Sequence, residues 1–208
     1  MTIAIISTWL GPELQDRPAD WIHRLAADEV ADLERALAHA RATAKPIAVL
    51  AREDFPLPVL EPAIRDWLRT LQHGRGFLNV KGVPVERHSD EDAALFQWGL
   101  GLHLGAAVSQ NAAGDLLGHV RDTGADPNDT SVRLYKTRVE LIFHSDGSDL
   151  VALLCIRPGR IGGENRLRPN PPYCRRPRHV RARSRNAPSS DGWSRRRVAR
   201  RASLSSTT

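Results

Sequence analysis

The sequence predicts an α+β protein, with helices packed outside a sandwich or barrel of strands and a basic tail behind them. Three observations carry that expectation. The first half of the 208 residues shows apolar stripes at helical spacing, and after Gly105 the texture changes to short β-rich runs and polar turns. Beyond residue 165 the chain holds only Leu167, Val180, Val198 and Leu204 as branched aliphatic residues. So few apolar groups cannot offset the entropy of ordering the chain, and the tail is expected to be disordered.

The first helix is expected in "RPADWIHRLAADEVADLERALAHARATAK", where Trp21, Leu25, Val30, Leu33 and Leu37 keep close to a period of 3.6. Pro18 and Asp20 supply start signals, and Lys45-Pro46 ends it. A second is expected in "LPVLEPAIRDWLRTLQHGRG", with Leu60, Ile64, Trp67, Leu68 and Leu71 on one stripe and Gly74 and Gly76 as the stop. "GFLNVKGVPV" reads as a short strand ending at Gly82 and Pro84. The third helix is "SDEDAALFQWGLGLHLG", with Ser89 as N-cap, Asp92 three residues on, and acids at the positive end of the helix dipole.

After Gly105, strands are expected in "LLGHVRD" (116–122), "VRLYKTRVELIFHSD" (132–146) and "SDLVALLCI" (148–156). The continuous apolarity of the last suggests burial on both faces, which would make Cys155 a buried free thiol. "RPGRIGGEN" is a turn-rich connector.

Charge divides the chain in the same place. Residues 1–165 carry 17 Lys and Arg against 23 acids, a net −6, whereas residues 166–208 carry 13 Arg and one acid, a net +12. The overall +6 therefore belongs to the tail. Two cysteines, Cys155 and Cys174, imply no disulfide framework and suit a reducing compartment. The opening residues lack a basic n-region, so a cytoplasmic protein without a membrane anchor is expected.

The chemistry-bearing step is His144-x-Asp146, two residues apart on an expected strand and followed by Gly147. Ligands at i and i+2 of a strand project to one side and can reach one ion. One imidazole and one carboxylate, completed by a distant histidine, make the 2-His-1-carboxylate arrangement of non-heme Fe(II) oxygenases. Taken alone, H-x-D is a weak signal, and a solvated strand end with a turn Asp accounts for it more readily.

Its surroundings add specificity. "RGFLNVKGVPV", "LFQWGLGLHLGAAVSQNAAGDLLGHVRDTG" and "LIFHSDGSDLVALLCIRPGRIGGENR" together resemble the TauD/TfdA-like (taurine/2,4-D dioxygenase, clavaminate synthase-like) Fe(II)/2-oxoglutarate-dependent dioxygenases, best over about residues 70–166. The resemblance implies N-terminal helices packed on a double-stranded β-helix, a jelly-roll-like core, here incomplete. It implies His144 and Asp146 as iron and catalytic residues, 2-oxoglutarate as cosubstrate, and O2 with a small organic molecule as the reactants. Asn165 stands where the family places a Thr or Ser contacting 2-oxoglutarate, and its amide can donate a hydrogen bond in that role. Gln110 and Asn111 match a polar pair expected to line the substrate side, or they form a polar turn after a helix.

The family pattern also needs a second His far beyond H-x-D and an Arg about ten residues later. The only later histidine is His179, in "RRPRHVRARSR", where each guanidinium would repel a dication. The expectation is therefore a dioxygenase domain over residues 1–166, truncated or frameshifted before an Arg/Pro-rich tail over 167–208, and impaired as a catalyst. The alternative is a nucleic-acid-binding module acting through that tail, with Tyr173 or Trp193 stacking on a base. Non-specific polyanion binding is expected of +12 on a flexible segment whatever its origin.

Overall fold

The computed structural model describes residues 9–111, 114–129 and 131–168, all within one unit spanning Met1–Pro169. The expectations for the tail, including Tyr173, Cys174, His179 and Trp193, lie outside the described residues.

Four α-helices and two short strands alternate along the first half: α1 (Gly11–Gln15), β1 (Ile22–Arg24), α2 (Ala27–Ala42), α3 (Glu61–His73), β2 (Asn79–Lys81) and α4 (Asp90–Leu104). The strands pair in parallel, Ile22 with Asn79, His23 with Val80 and Arg24 with Lys81. A parallel pair needs a crossover, and α2 and α3 lie within it.

Of the helices expected from the sequence, α3 and α4 form as their stripes indicate. Ser89 and Asp92 cap α4 reciprocally, the Asp92 N–H donating to Ser89 Oγ at 3.2 Å and the Ser89 N–H to Asp92 Oδ2 at 3.3 Å. At the end of α3 the N–H groups of Gly74 and Gly76 both donate to the Thr70 carbonyl. Gly76 sits at φ 81°, a conformation that favours glycine.

The first helix needs correction. It does not run from Pro18 but begins at Ala27, after a 3-10 turn at Pro18–Asp20 and strand β1. Trp21 is thus off the helix, its indole N–H donating to the Leu14 carbonyl at 2.8 Å. The reason is local. Glu29 accepts from the Ala26 N–H at 2.8 Å and from His23 at 3.1 Å, which caps α2 and leaves the preceding residues free to pair with β2.

Leu33, Ala36, Leu37 and Ala40 of α2, Ile64 and Trp67 of α3, and Phe96 and Trp98 of α4 form one core with Leu50, Phe55, Leu57 and Leu60 from the connection. Phe55 is fully buried beneath Gly99 of α4. Asp32 is buried among these residues and accepts from the Val59 and Leu60 N–H groups at 2.8 and 3.1 Å. At the far end of the connection, Asp54 accepts from the Ala51 N–H at 2.9 Å and from Lys45 Nζ at 2.7 and 2.8 Å.

The Ala51 N–H, and after it Lys45, hold the Asp54 carboxyl below its usual range. A depressed folded pKa stabilises above the unfolded value of about 3.9, and that contribution is lost as pH falls through the folded value. Asp122, held down by Arg138 and the Gly124 N–H, and Asp129, held down by Ser131, act with the same sign. Asp54→Asn is therefore expected to reduce the loss of stability below about pH 4 without abolishing it. Urea midpoints measured on both sides of that pH check this. An unchanged slope would deny Asp54 its part.

The second half departs further from expectation. None of the strands expected over 116–122, 132–146 and 148–156 is formed among the described residues; a 3-10 turn at Leu134–Lys136 is the regular element there. The run 148–156 is not buried on both faces: Val151 and Leu153 are half or more exposed, and Cys155 is exposed rather than buried. A strand needs its backbone groups paired by neighbours, and among the described residues β1 and β2 pair only with one another. Apolar alternation without a partner ladder leaves the chain irregular. No described helix is long and apolar enough to cross a membrane.

Candidate metal-binding site

His144 and Asp146 lie on the irregular segment that follows Arg138. The segment is tied at several points. Arg138 pairs with Asp122, Arg166 with Glu140 at 3.4 Å, and the Arg168 guanidinium lies over the Phe143 ring at 5.1 Å. Thr123 donates through both its N–H and its hydroxyl to the Lys136 carbonyl, at 2.9 and 3.1 Å.

The histidine has a defined orientation. Its Nδ1 stands 2.8 Å from the Ile142 carbonyl, which can only accept, so Nδ1 carries the proton and donates. In the neutral ring that leaves the Nε2 lone pair outward, and Nε2 lies 3.9 Å from Asp146 Oδ1. Both side chains are about half exposed. A nitrogen freed by a backbone bond on its ring partner is the usual form of a metal-ligating imidazole.

The donor set suits part of a metal's coordination shell. Adjacent ligands at bonds of about 2.1 Å stand about 3 Å apart around an octahedral ion, so the pair needs to close by under about 1 Å. One imidazole nitrogen and one carboxylate oxygen are the donors an Fe(II) facial site takes from such a step. Among the described residues no group of three or more His, Cys, Asp or Glu side chains is arranged to hold a metal. His179 lies outside the described residues.

The other candidates sit elsewhere. Gln110 and Asn111 build a polar turn: Gln110 Nε2 donates to the Val108 carbonyl at 2.9 Å, and Asn111 Nδ2 to Asp115 Oδ2 at 2.6 Å. The Asp115 N–H returns to Asn111 Oδ1 at 3.2 Å. Asn165 is exposed just after Gly162 and Gly163, both at positive φ (77° and 85°). Among the described residues no hydrogen bond joins Asn165, Gln110 or Asn111 to His144 or Asp146. Gly147 is not at positive φ, and a Cβ there would meet nothing within 4 Å, so the turn after Asp146 does not require glycine.

Sequence reasoning did not find the Ile142 carbonyl, because a backbone acceptor leaves no trace in residue type. It also missed Asp90 and Gln97 of α4, which hold the chain just beyond the pair. Arg157 donates to Asp90 at 2.7 and 3.4 Å, and Gln97 Nε2 to the Ala152 carbonyl at 3.0 Å.

A helical body followed by an imidazole–carboxylate pair of this kind points to a metal-dependent enzyme class. The match is specific: residues 39–167 fit the family described as "Taurine catabolism dioxygenase TauD, TfdA family", and the chain belongs to it. It is 31% identical over 159 residues to FR-33289 synthase of Streptomyces rubellomurinus, covering 76% of this chain and 47% of that protein. It is 24% identical over 166 residues to Taurine hydroxylase-like protein SAT17 of Stachybotrys chartarum, covering 76% of this chain and 43% of the relative. The chain thus spans less than half the length of these curated relatives.

Proposed function

We propose that this chain carries the first metal-binding half of an Fe(II)- and 2-oxoglutarate-dependent dioxygenase that hydroxylates a small organic substrate. The family match over residues 39–167, which includes His144 and Asp146, supports the class. The observation that carries the site is the outward His144 Nε2 beside Asp146 Oδ1, with Nδ1 tied to the Ile142 carbonyl.

In this reading His144 and Asp146 hold the iron by Nε2 and a carboxylate oxygen. Bound iron would supply oxygen activation coupled to oxidative decarboxylation of 2-oxoglutarate. The protein's share is positioning. The Ile142 carbonyl fixes the tautomer and aim of His144, and Asp146 brings a negative charge that favours a dication. Asn165 is the proposed donor to the 2-oxoglutarate carboxylate, and Gln110 and Asn111 the proposed substrate-side pair. The jelly-roll core belongs to the same proposal. The domain would run over 1–166, with the basic segment 167–208 apart from it.

Among the described residues two donors are in place, and two give up much of the affinity that three provide, so this polypeptide is proposed to bind Fe(II) weakly and to turn over 2-oxoglutarate poorly. Replacing a ligand should cost at least the tenfold or more typical of losing a supporting residue. His144→Ala and Asp146→Ala are each expected to weaken Co(II), a spectroscopic stand-in for Fe(II), by about tenfold or more while leaving the circular dichroism of the helices unchanged. Equal Co(II) affinity in wild type and both variants would overturn the site. Stoichiometric succinate from the purified chain with Fe(II), ascorbate and 2-oxoglutarate would overturn the impairment.

A further inference from the structure

We propose that α4 braces the segment carrying the H-x-D pair, with Gln97 and Asp90 acting as positioning residues for the metal site. The proposal rests on the reading of His144 and Asp146 as metal ligands.

Asp90 and Gln97 are seven residues apart on α4, which places them two turns apart on one face, about 10 Å along the axis. Both reach the same stretch of chain. Gln97 Nε2 donates to the Ala152 carbonyl at 3.0 Å. Arg157 forks onto the Asp90 carboxylate, Nη2 to Oδ1 at 2.7 Å and Nη1 to Oδ2 at 3.4 Å. Between these anchors Leu154 packs against the helical core while Leu153 stays outside, as does Val151 just before them. Residue numbers rise along this strap as they fall along α4, so the strap runs opposite to the helix.

Its place in the chain gives the brace a consequence. Ala152 follows Asp146 by six positions, and the stretch between contains Gly147 and Ser148 and no regular secondary structure. Among the described residues no sheet ladder holds the pair, so its aim depends on the ties at Glu140 and Phe143 on one side and on where the strap is fastened on the other. A metal site tolerates only about 0.5 Å of misplacement in its ligands. A strap released from α4 would multiply the arrangements that His144 and Asp146 must give up on binding an ion. Neither anchor touches the proposed metal, and both would act through the segment they hold.

The test uses the full chain with Gln97→Ala, Gln97→Glu and Arg157→Ala. Glu keeps the length of Gln97 but has no N–H for the Ala152 carbonyl. Arg157→Ala leaves α4 and its cap untouched, which keeps the test sound if the helix variants fold poorly. Two readouts are taken: backbone hydrogen exchange by mass spectrometry, and Co(II) affinity by titration. All three variants are expected to exchange faster over residues 140–157 with α2 and α3 unchanged, and to bind Co(II) about threefold to tenfold more weakly. Arg157→Lys, which keeps the charge, is expected to restore part of both. Unchanged exchange over 140–157 would overturn the brace. Faster exchange with unaltered Co(II) affinity would overturn the positioning role. If His144→Ala also leaves Co(II) affinity unaltered, the metal reading itself fails and the positioning role with it. The exchange data would still report the brace separately.

Discussion

Gly99→Ala is expected to destabilise the helical body by about 3 kcal/mol, near the upper end of what overpacking a core costs. A Cβ at position 99 would fall on the Phe55 ring, overlapping Cγ and Cδ1 and standing only 2.5 Å from Cδ2. The ring has nowhere to go. Phe55 is fully buried, and its backbone is held by the His103 imidazole, whose Nε2 donates to the Phe55 carbonyl at 2.7 Å. Arg52 Nε in turn donates to His103 Nδ1 at 3.0 Å and fixes that tautomer. Urea denaturation gives the size of the loss, and a second substitution shows its cause. Phe55→Ala removes Cγ and both Cδ atoms, the point of overlap, and alone should cost about 3–5 kcal/mol as a cavity. The double variant should then be more stable than the two losses added together. Strict additivity would mean that Gly99 matters for some reason other than Phe55.

The second large effect is expected at Asp32. Its Oδ2 accepts the Val59 and Leu60 N–H groups, and its Oδ1 accepts Arg35 Nη2 at 2.9 Å. These two amides lie just before α3, where the helix presents unpaired donors and the positive end of its dipole. Asp32→Ala leaves them without a protein acceptor beside a core residue, Leu60, that is fully buried. The expected loss is about 2–4 kcal/mol. Asp32→Asn keeps an oxygen for the amides but loses the charge and the acceptor for Arg35, so about 1 kcal/mol is expected. Arg35→Ala should cost under about 1 kcal/mol, because that side chain is mostly exposed. Equal losses for Ala and Asn would show that charge, rather than amide satisfaction, is what Asp32 contributes.

These two residues also mark the limit of what the sequence discloses. Helices α3 and α4 were legible because their stripes and caps are local, with Ser89 and Asp92 three residues apart. Gly99 and Phe55 meet across 44 positions, and nothing in either neighbourhood announces the other. Asp32 reads as one more acid on a solvated face, yet its partners lie 27 and 28 residues away and it is buried. The start of α2 was misplaced because Trp21 and Leu25 mimic a helical stripe, while the Ala26–Glu29 cap and the pairing with β2 decide the boundary. The H-x-D pair was visible in the sequence as a motif, by its spacing and family context, and its role as a metal site is the proposal made above. Its geometry was not, since it depends on the Ile142 carbonyl. The strands expected around it share a pattern with true strands, but pattern alone supplies no neighbour to pair with.

The parallel pairing of β1 with β2 sets different tolerances on length and on alignment. It closes a loop from Ile22 to Asn79. Closure entropy grows slowly, by only about 0.6 kcal/mol for each doubling of the loop, so inserted residues between α2 and α3 would be cheap wherever they spare Asp54 and Phe55. Alignment is the opposite case. The ladder is three residues long, and His23 at its centre stacks edge-on against Trp67 at 5.1 Å while bonding Glu29. Sliding β1 by one step would turn His23 to the other face and present Ile22 or Arg24 to Trp67 instead. The same chain that absorbs a long insertion would therefore fail on a single deleted residue at position 25 or 26.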